Sequence, residues 1–395
     1  MITWKTLVSY LVVIAFSILF LYFGNQIVSP VLIYEDDSSR SVEARVERII
    51  SISETDLDWG TTTIIKFEAL VTSGEYRNEA VIARQTLDDF MGALNREVSE
   101  GDRVILVSFS PDEWYFFNFI RIHQIIILGG IFVALLLVLG KIKGLNAMLS
   151  LGFTCAAIFA VFIPSILSGK NIYLSAVIVC AYSIIVTILI INGVNKKSLA
   201  AITGCLGGVI AAALLTLIMN HTLELTGVVS SESIRLLYFN FENPIDLRAV
   251  IFAGIIIGAV GAVMDVAVSI SSALWELKSQ APNLPLKKIY QSGIKIGKDV
   301  MASMTNTLVL AYIGSSLSVI LLLVVDVGSL AVLFNSEFVI VEFLQAIIGS
   351  LGILATMPLT AFICAVLLSP KQKDTHSSDH IRKKLRETAA DGDAQ

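Results

Sequence analysis

Residues 253–278 read AGIIIGAVGAVMDVAVSISSALWELK, and this run decides what kind of molecule the chain is. Coiled as an α-helix at 1.5 Å per residue it would be about 39 Å long, more than the roughly 30 Å of a bilayer's hydrocarbon core. A single acid, Asp265, stands in its apolar interior. At 100° per residue Gly254, Gly258, Gly261, Asp265, Ser269, Ser272 and Glu276 form one continuous stripe. Glycines so spaced let a second helix approach closely, so Gly254, Gly258 and Gly261 are expected to be helix-packing residues in a seam that ends at Asp265. An ionisable side chain inside a span costs on the order of 3 kcal/mol on insertion scales. Asp265 is therefore a candidate for an ion or proton pathway, the alternative being a structural, hydrogen-bonded acid.

Working outward, the 395 residues are 55% hydrophobic and 15% charged, with a mean hydropathy of +0.79, outside the range of soluble domains. Apolar runs fall near 7–24, 118–140, 145–168, 172–193, 198–219, 248–273, 300–325 and 338–368. They predict an α-helical polytopic membrane protein with about eight transmembrane helices. The first run reads as an uncleaved anchor, because only Lys5 precedes it and no small-x-small cleavage site follows. Positive loops stay cytoplasmic. With the N-terminus inside, Lys141, Lys143, Lys196, Lys197 and the lysines between 278 and 298 fall on one side together with the basic tail, while the short opposite loops hold only Lys170, Arg235 and Arg248. Both termini are thus expected on the cytoplasmic side. The net charge of −5 points to no nucleic-acid partner.

Four divisions follow: a transmembrane anchor over 1–29, an extracytoplasmic β domain over 30–116, a seven-helix transmembrane domain over 117–369, and a disordered cytoplasmic tail over 370–395. In the second, SVEARVERIISIS, TTTIIKFEALVTS and DRVILVSFS alternate apolar with polar residues. Gly60, Gly74 and the turn at Glu100–Asp102 separate them, and Thr72–Asn78 reads as a hairpin turn. The pattern predicts a small β-barrel-like, OB-like module between the first two helices, suited to binding or scaffolding.

The span that begins GKDVMASMTNTLVLAYIGSSL, 297–317, carries the other polar group. Asp299, Ser303 and Asn306 share one helical face, flanked by Thr305 and Thr307, and such a cluster can orient water or pair with a neighbouring carboxylate. Asp299 has a second reading as a helix cap, and the cluster a second reading as interhelical hydrogen-bond glue. The segment before it, SQAPNLPLKKIYQSGIKIGK, is expected to lie at the membrane surface as an amphipathic helix. Asn192, Glu337, Glu342 and Gln345 stand near predicted span ends, where reaching water is cheap. The ion or proton pathway candidates are therefore Asp265, Ser269, Asp299, Ser303, Thr305, Asn306 and Thr307. Cys155, Cys180, Cys205 and Cys364 lie in apolar runs without metal or disulfide spacing. Neither GxxxxGK[ST], HExxH nor GxSxG occurs, so no enzyme, metal or cofactor is expected.

The runs AGIIIGAVGAVMDVAVSISSALWEL and SGIKIGKDVMASMTNTLVLAYIGSSL, with the β-rich segment ahead of them, closely resemble the YibE/F family of bacterial membrane proteins across nearly the whole chain except the tail. The resemblance implies a multi-pass protein of the bacterial cytoplasmic (inner) membrane with a transport-related role. The order of glycine-rich helix, intramembrane Asp, and polar Asn and Thr cluster also looks like the fourth and fifth helices of SecDF and RND transporters. That likeness would make Asp265 the protonatable acid, with Asn306 and Thr307 its polar partners. The chain departs from it where VAVSISSALWEL replaces the family's signature after the Asp, and in having eight spans rather than six. The expected function is an ion- or proton-coupled secondary transporter or export permease, the alternative a membrane scaffold or accessory subunit of a cell-envelope complex. The expected partners are the lipid bilayer, a second copy or paralogous subunit, and a small-molecule, ion or envelope substrate.

Overall fold

A computed structural model describes residues 4–28, 40–57, 60–88, 96–110, 113–239, 244–326 and 328–368. The tail expected to be disordered lies outside the described residues. Contacts divide the chain into two units, Leu32–Gly144 and Met1–Val31 with Leu145–Gln395.

The first unit carries a closed five-stranded barrel built from β1 (Arg40–Leu57), β2 (Gly60–Val71), β3 (Ala80–Asp88), β4 (Arg103–Ser110) and β5 (Glu113–Phe119). Around the barrel the order is β1-β2-β3-β5-β4. β1 pairs antiparallel with both β2 and β4, and β3 meets β5 in parallel. This agrees with the expected OB-like module. Alternation sends Val42, Ala44 and Val46 of β1 inward, against Ile65, Phe67 and Ala69 of β2 and Val104 and Leu106 of β4. Gln85 is also buried, and it is satisfied: its amide donates to Arg96 O at 3.0 Å and its carbonyl accepts from Val98 N at 2.9 Å. The expected turn at Thr72–Asn78 is formed, with Asn78 at φ 71°.

Helix α1 spans Trp4–Ile27 and α2 spans Ile122–Ala157. A π turn, Ile158–Phe162, and the short α3, Ile163–Leu167, complete that run. Then come α4 (Ile172–Asn192), α5 (Lys196–Thr222), α6 (Ser231–Phe239), α7 (Leu247–Gln280), α8 (Leu286–Ser315), α9 (Leu317–Asp326), α10 (Leu330–Asn335) and α11 (Glu337–Leu368). Among the described residues six helices are long and apolar enough to cross a membrane, or seven if α8 and α9, bent by 60°, count as one crossing. Eight were expected. The difference lies in Ile122–Leu167, counted as one run of 46 residues, which as a straight helix would be about 69 Å long. It is not straight. Lys141 has φ 50° and ψ −127°, and Gly144 abuts the carbonyl of Leu136, a group that eight residues of helix would hold about 12 Å away.

In the second unit α11 is the central helix, packed by α5, α7 and α8, while α4 lies against α5 and α7. α7 starts behind Asp246, whose carboxylate accepts from Arg248 N at 3.0 Å and caps the helix. It buries Ile255, Ile256, Val263, Ile270 and Leu274, all 0% exposed. Two expectations about α8 are corrected. The segment expected as a separate surface helix is the beginning of α8, drawn in because Gly293 seats on Ala361 and Leu274 and Gly297 on Met357 and Ile270. Asp299 is no cap, because α8 begins thirteen residues earlier, behind Pro285.

Candidate functional site

Glycines make the two kinds of helix face in this bundle. Gly204, Gly207 and Gly208 of α5 lie directly under Thr360, Leu359 and Thr356 of α11. A methyl group added at Gly208 would collide with the Thr356 hydroxyl and approach the Gly352 carbonyl to 2.9 Å. The glycines let the two helices approach closely here. The sequence reading passed over it, although GCLGG at 204–208 carried the four-residue glycine spacing.

The stripe of α7 has the opposite environment. Gly254 and Gly261 are exposed, and a methyl group added at either would meet nothing within 4 Å. Among the described residues no helix closes on them, contrary to the expected seam. Gly258 alone has a neighbour, the hydroxyl of Tyr312 from α8. The reason is energetic. The other side of α7 presents Ile, Val and Leu, whose burial against α5 and α11 removes far more apolar surface from solvent than a glycine face could.

Asp265 sits on this open face, exposed, with no hydrogen bond or ion pair among the described residues. Its carboxylate is within electrostatic reach of the buried Cys205 thiol on α5. α8 runs alongside. It starts on the buried side of α7 at Leu274 and Ile270, and reaches the glycine side with Tyr312 at Gly258. Asp265 lies between those two crossings on α7. Ser303, Thr305, Asn306 and Thr307 lie between them on α8. The two groups singled out in the sequence thus occupy matching stretches of neighbouring helices, yet no hydrogen bond joins them. Thr307 Oγ1 donates to Ser303 O of its own helix at 3.0 Å. Asp299, Ser303 and Asn306 are exposed, Thr305 and Ser269 half-buried, and none of their side chains is bonded among the described residues.

Two further polar groups continue this line. Glu342 of α11 acts electrostatically on the Tyr312 hydroxyl, and both residues line a crevice of about 50 Å³ with Val309, Ile320 and Val339. Glu342 Oε2 is buried without a hydrogen-bond partner among the described residues. The signal was legible, since Glu342 is the one acid in the apolar run 338–368. Glu337 is different. It accepts from Thr226 N at 2.8 Å, Thr226 Oγ1 at 2.7 Å and Gly227 N at 2.6 Å, and so ties the start of α11 to the loop after α5. No cluster of three His, Cys, Asp or Glu side chains that could hold a metal occurs among the described residues.

Neither a curated protein nor a solved structure matches the chain. A family of YibE/F-like proteins does match, over residues 128–370, a stretch that begins inside α2 and contains α4 to α11 but not the barrel, so the resemblance covers less than the near-whole chain expected. With more than half of its length matched, the chain belongs to the YibE/F-like protein family.

Proposed function

We propose that this membrane protein is a proton- or ion-coupled secondary transporter or export permease in which Asp265 carries the coupling charge. One observation carries the reading: an acid in the middle of a membrane-length helix, exposed on a face that, among the described residues, α8 reaches at Gly258 but leaves open at Gly254 and Gly261, and without a bonded partner among those residues. An acid kept as structural glue would be bonded to something. Ionised, the Asp265 carboxylate needs water or a counter-group beside it, whereas its protonated form meets apolar surroundings at much lower cost. Gain or loss of the proton therefore changes which environments the glycine face of α7 tolerates. Asn306, Thr305 and Ser303 supply groups that can solvate the charged form along α8, and Tyr312 and Glu342 extend the polar line towards α11.

In this reading the chain crosses the inner membrane of a bacterium eight times, with the two arms about Lys141 and the bent pair α8–α9 supplying the additional crossings. Both termini are cytoplasmic and the barrel is extracytoplasmic, where it recognises or gates substrate. The uncovered glycine face also favours a second reading, in which a paralogous membrane subunit docks there and the chain is an accessory protein of an envelope complex.

Proton flux into proteoliposomes under an imposed pH gradient tests the first reading. Asp265→Asn should retain folded yield and lose flux, as should Asn306→Leu, with little further loss in the double variant because the two act as a unit. Undiminished flux in Asp265→Asn would overturn it.

A further inference from the structure

We infer that the gap between α1 and α4 is a binding site for one acyl chain of an anionic membrane phospholipid, with Lys170 at its headgroup end. Helix α1 is held to the rest of its unit at few points. Tyr10 accepts from Asn146 Nδ2 at 3.0 Å, the ring of Phe20 stacks on Tyr182 at 4.0 Å, and Gly24 presses against Val161 of the π turn. Beside these contacts the helices stand apart and leave a cleft of about 620 Å³, within the ordinary range for a small-molecule site.

Its walls are almost wholly apolar. Phe16, Leu19 and Phe23 come from α1, Leu174 and Ile178 from α4, and all five are exposed to the cleft or its mouth. The polar groups are not scattered. Lys170, Asn171 and Ser175 come from the start of α4 and the two residues before it, and Ser165 of α3 joins them, its carbonyl accepting from Lys170 N at 3.0 Å, so the four gather at one end, away from the Phe20–Tyr182 stack. Lys170 is exposed and makes no ion pair among the described residues. The positive end of the α4 dipole adds to its field there.

The dimensions fit a lipid tail. From Phe16 to Ile27 the α1 wall is about 16 Å deep at 1.5 Å per residue, close to the ~15 Å of one leaflet, half the hydrocarbon core. An apolar slot one leaflet deep, capped by an unpaired ammonium, is complementary to an amphiphile with an anionic head. A phospholipid is the source favoured by the depth, because in a bilayer its phosphate sits one leaflet from the mid-plane with its chain pointing towards it. Once occupied, the slot completes the packing of α1.

The test uses the full chain in vesicles doped with phosphatidylglycerol or phosphatidylcholine bearing a photoreactive group on the acyl chain, with labelled peptides read by mass spectrometry. Labelling should fall on residues 16–27 and 174–179, about fivefold stronger for phosphatidylglycerol, the selectivity that one lysine near the surface supplies. Lys170→Gln should abolish the preference while keeping labelling by both lipids, and Ile178→Trp, which fills the slot, should suppress both. Gel filtration establishes that each variant is folded, and Leu174→Trp replaces Ile178→Trp if that one is not. Equal labelling by the two lipids in the unmodified protein, or labelling untouched by the tryptophan, would overturn the site. Displacement by free oleate, but not by unlabelled phosphatidylglycerol, would overturn the choice of occupant.

Discussion

The glycine faces of α5 and α7 are built from the same residue type at similar spacing, yet one is shut and the other open. Gly204, Gly207 and Gly208 are roofed by Thr360, Leu359 and Thr356 of α11, whereas a methyl group added at Gly254 or Gly261 would meet nothing within 4 Å, and both share their face with Asp265. The difference teaches that small residues in a membrane helix mark a close approach without naming the partner. On α5 the partner is part of the fold. On α7 no helix among the described residues supplies it at Gly254 and Gly261.

The largest expected effect follows from filling the two faces. Gly208→Leu forces its side chain into the Thr356 hydroxyl and the Gly352 carbonyl, so it should cost about 3 kcal/mol or more and lower both folded yield and Tm in detergent. Gly261→Leu should stay within about 0.5 kcal/mol of the parent, as substitutions at open positions do. Equal destabilisation by the two would break the comparison.

Polar groups sharpen it at smaller magnitude. Thr356 is fully buried and donates to Gly352 O at 2.8 Å, so Thr356→Val should lose about 1 kcal/mol by thermal unfolding. Asp265→Asn, which breaks no bond, should leave Tm unchanged within about 0.5 kcal/mol. Smallest of all is Thr360→Val. Thr360 Oγ1 is buried without a partner among the described residues, so its replacement by an isosteric methyl should be neutral or stabilising by up to about 1 kcal/mol. A loss at Thr360 equal to that at Thr356 would show that the seam holds a bond between helices there.

Water access separates the faces independently of energy. In a background without Cys155, Cys180, Cys205 and Cys364, a cysteine introduced by Gly261→Cys should react with a membrane-impermeant maleimide, while one introduced by Thr356→Cys should not. An unreactive Gly261→Cys would favour the reading in which a partner subunit covers α7.

Local periodicity was readable in the chain, and pairing between distant segments was not. The stripe Gly254 to Glu276 follows from 3.6 residues per turn alone, and so did the inward alternation of Val42, Ala44 and Val46. Which side of α7 is covered depends on α5 and α11, whose Gly208 and Thr356 stand 148 positions apart. The start of α8 was misread for the same reason. Its lysines look like a water-facing surface, but Gly293 and Gly297, four residues apart, are what seats the helix on Ala361 and Met357. In the barrel, hairpins are local and were foreseeable, whereas the parallel closure of β3 on β5 joins Ala83 to Trp114 and has no local signature.

The central claim is that Asp265, on the open face, exchanges a proton. Infrared difference spectroscopy of the reconstituted protein across a pH titration reads this directly, through the carbonyl stretch that only a protonated carboxyl group shows. The account predicts such a band titrating over the pH range in which proton flux occurs, absent in Asp265→Asn and retained in Glu337→Gln. A band unchanged in Asp265→Asn, or a carboxylate at Asp265 that stays ionised across the whole range, would contradict it.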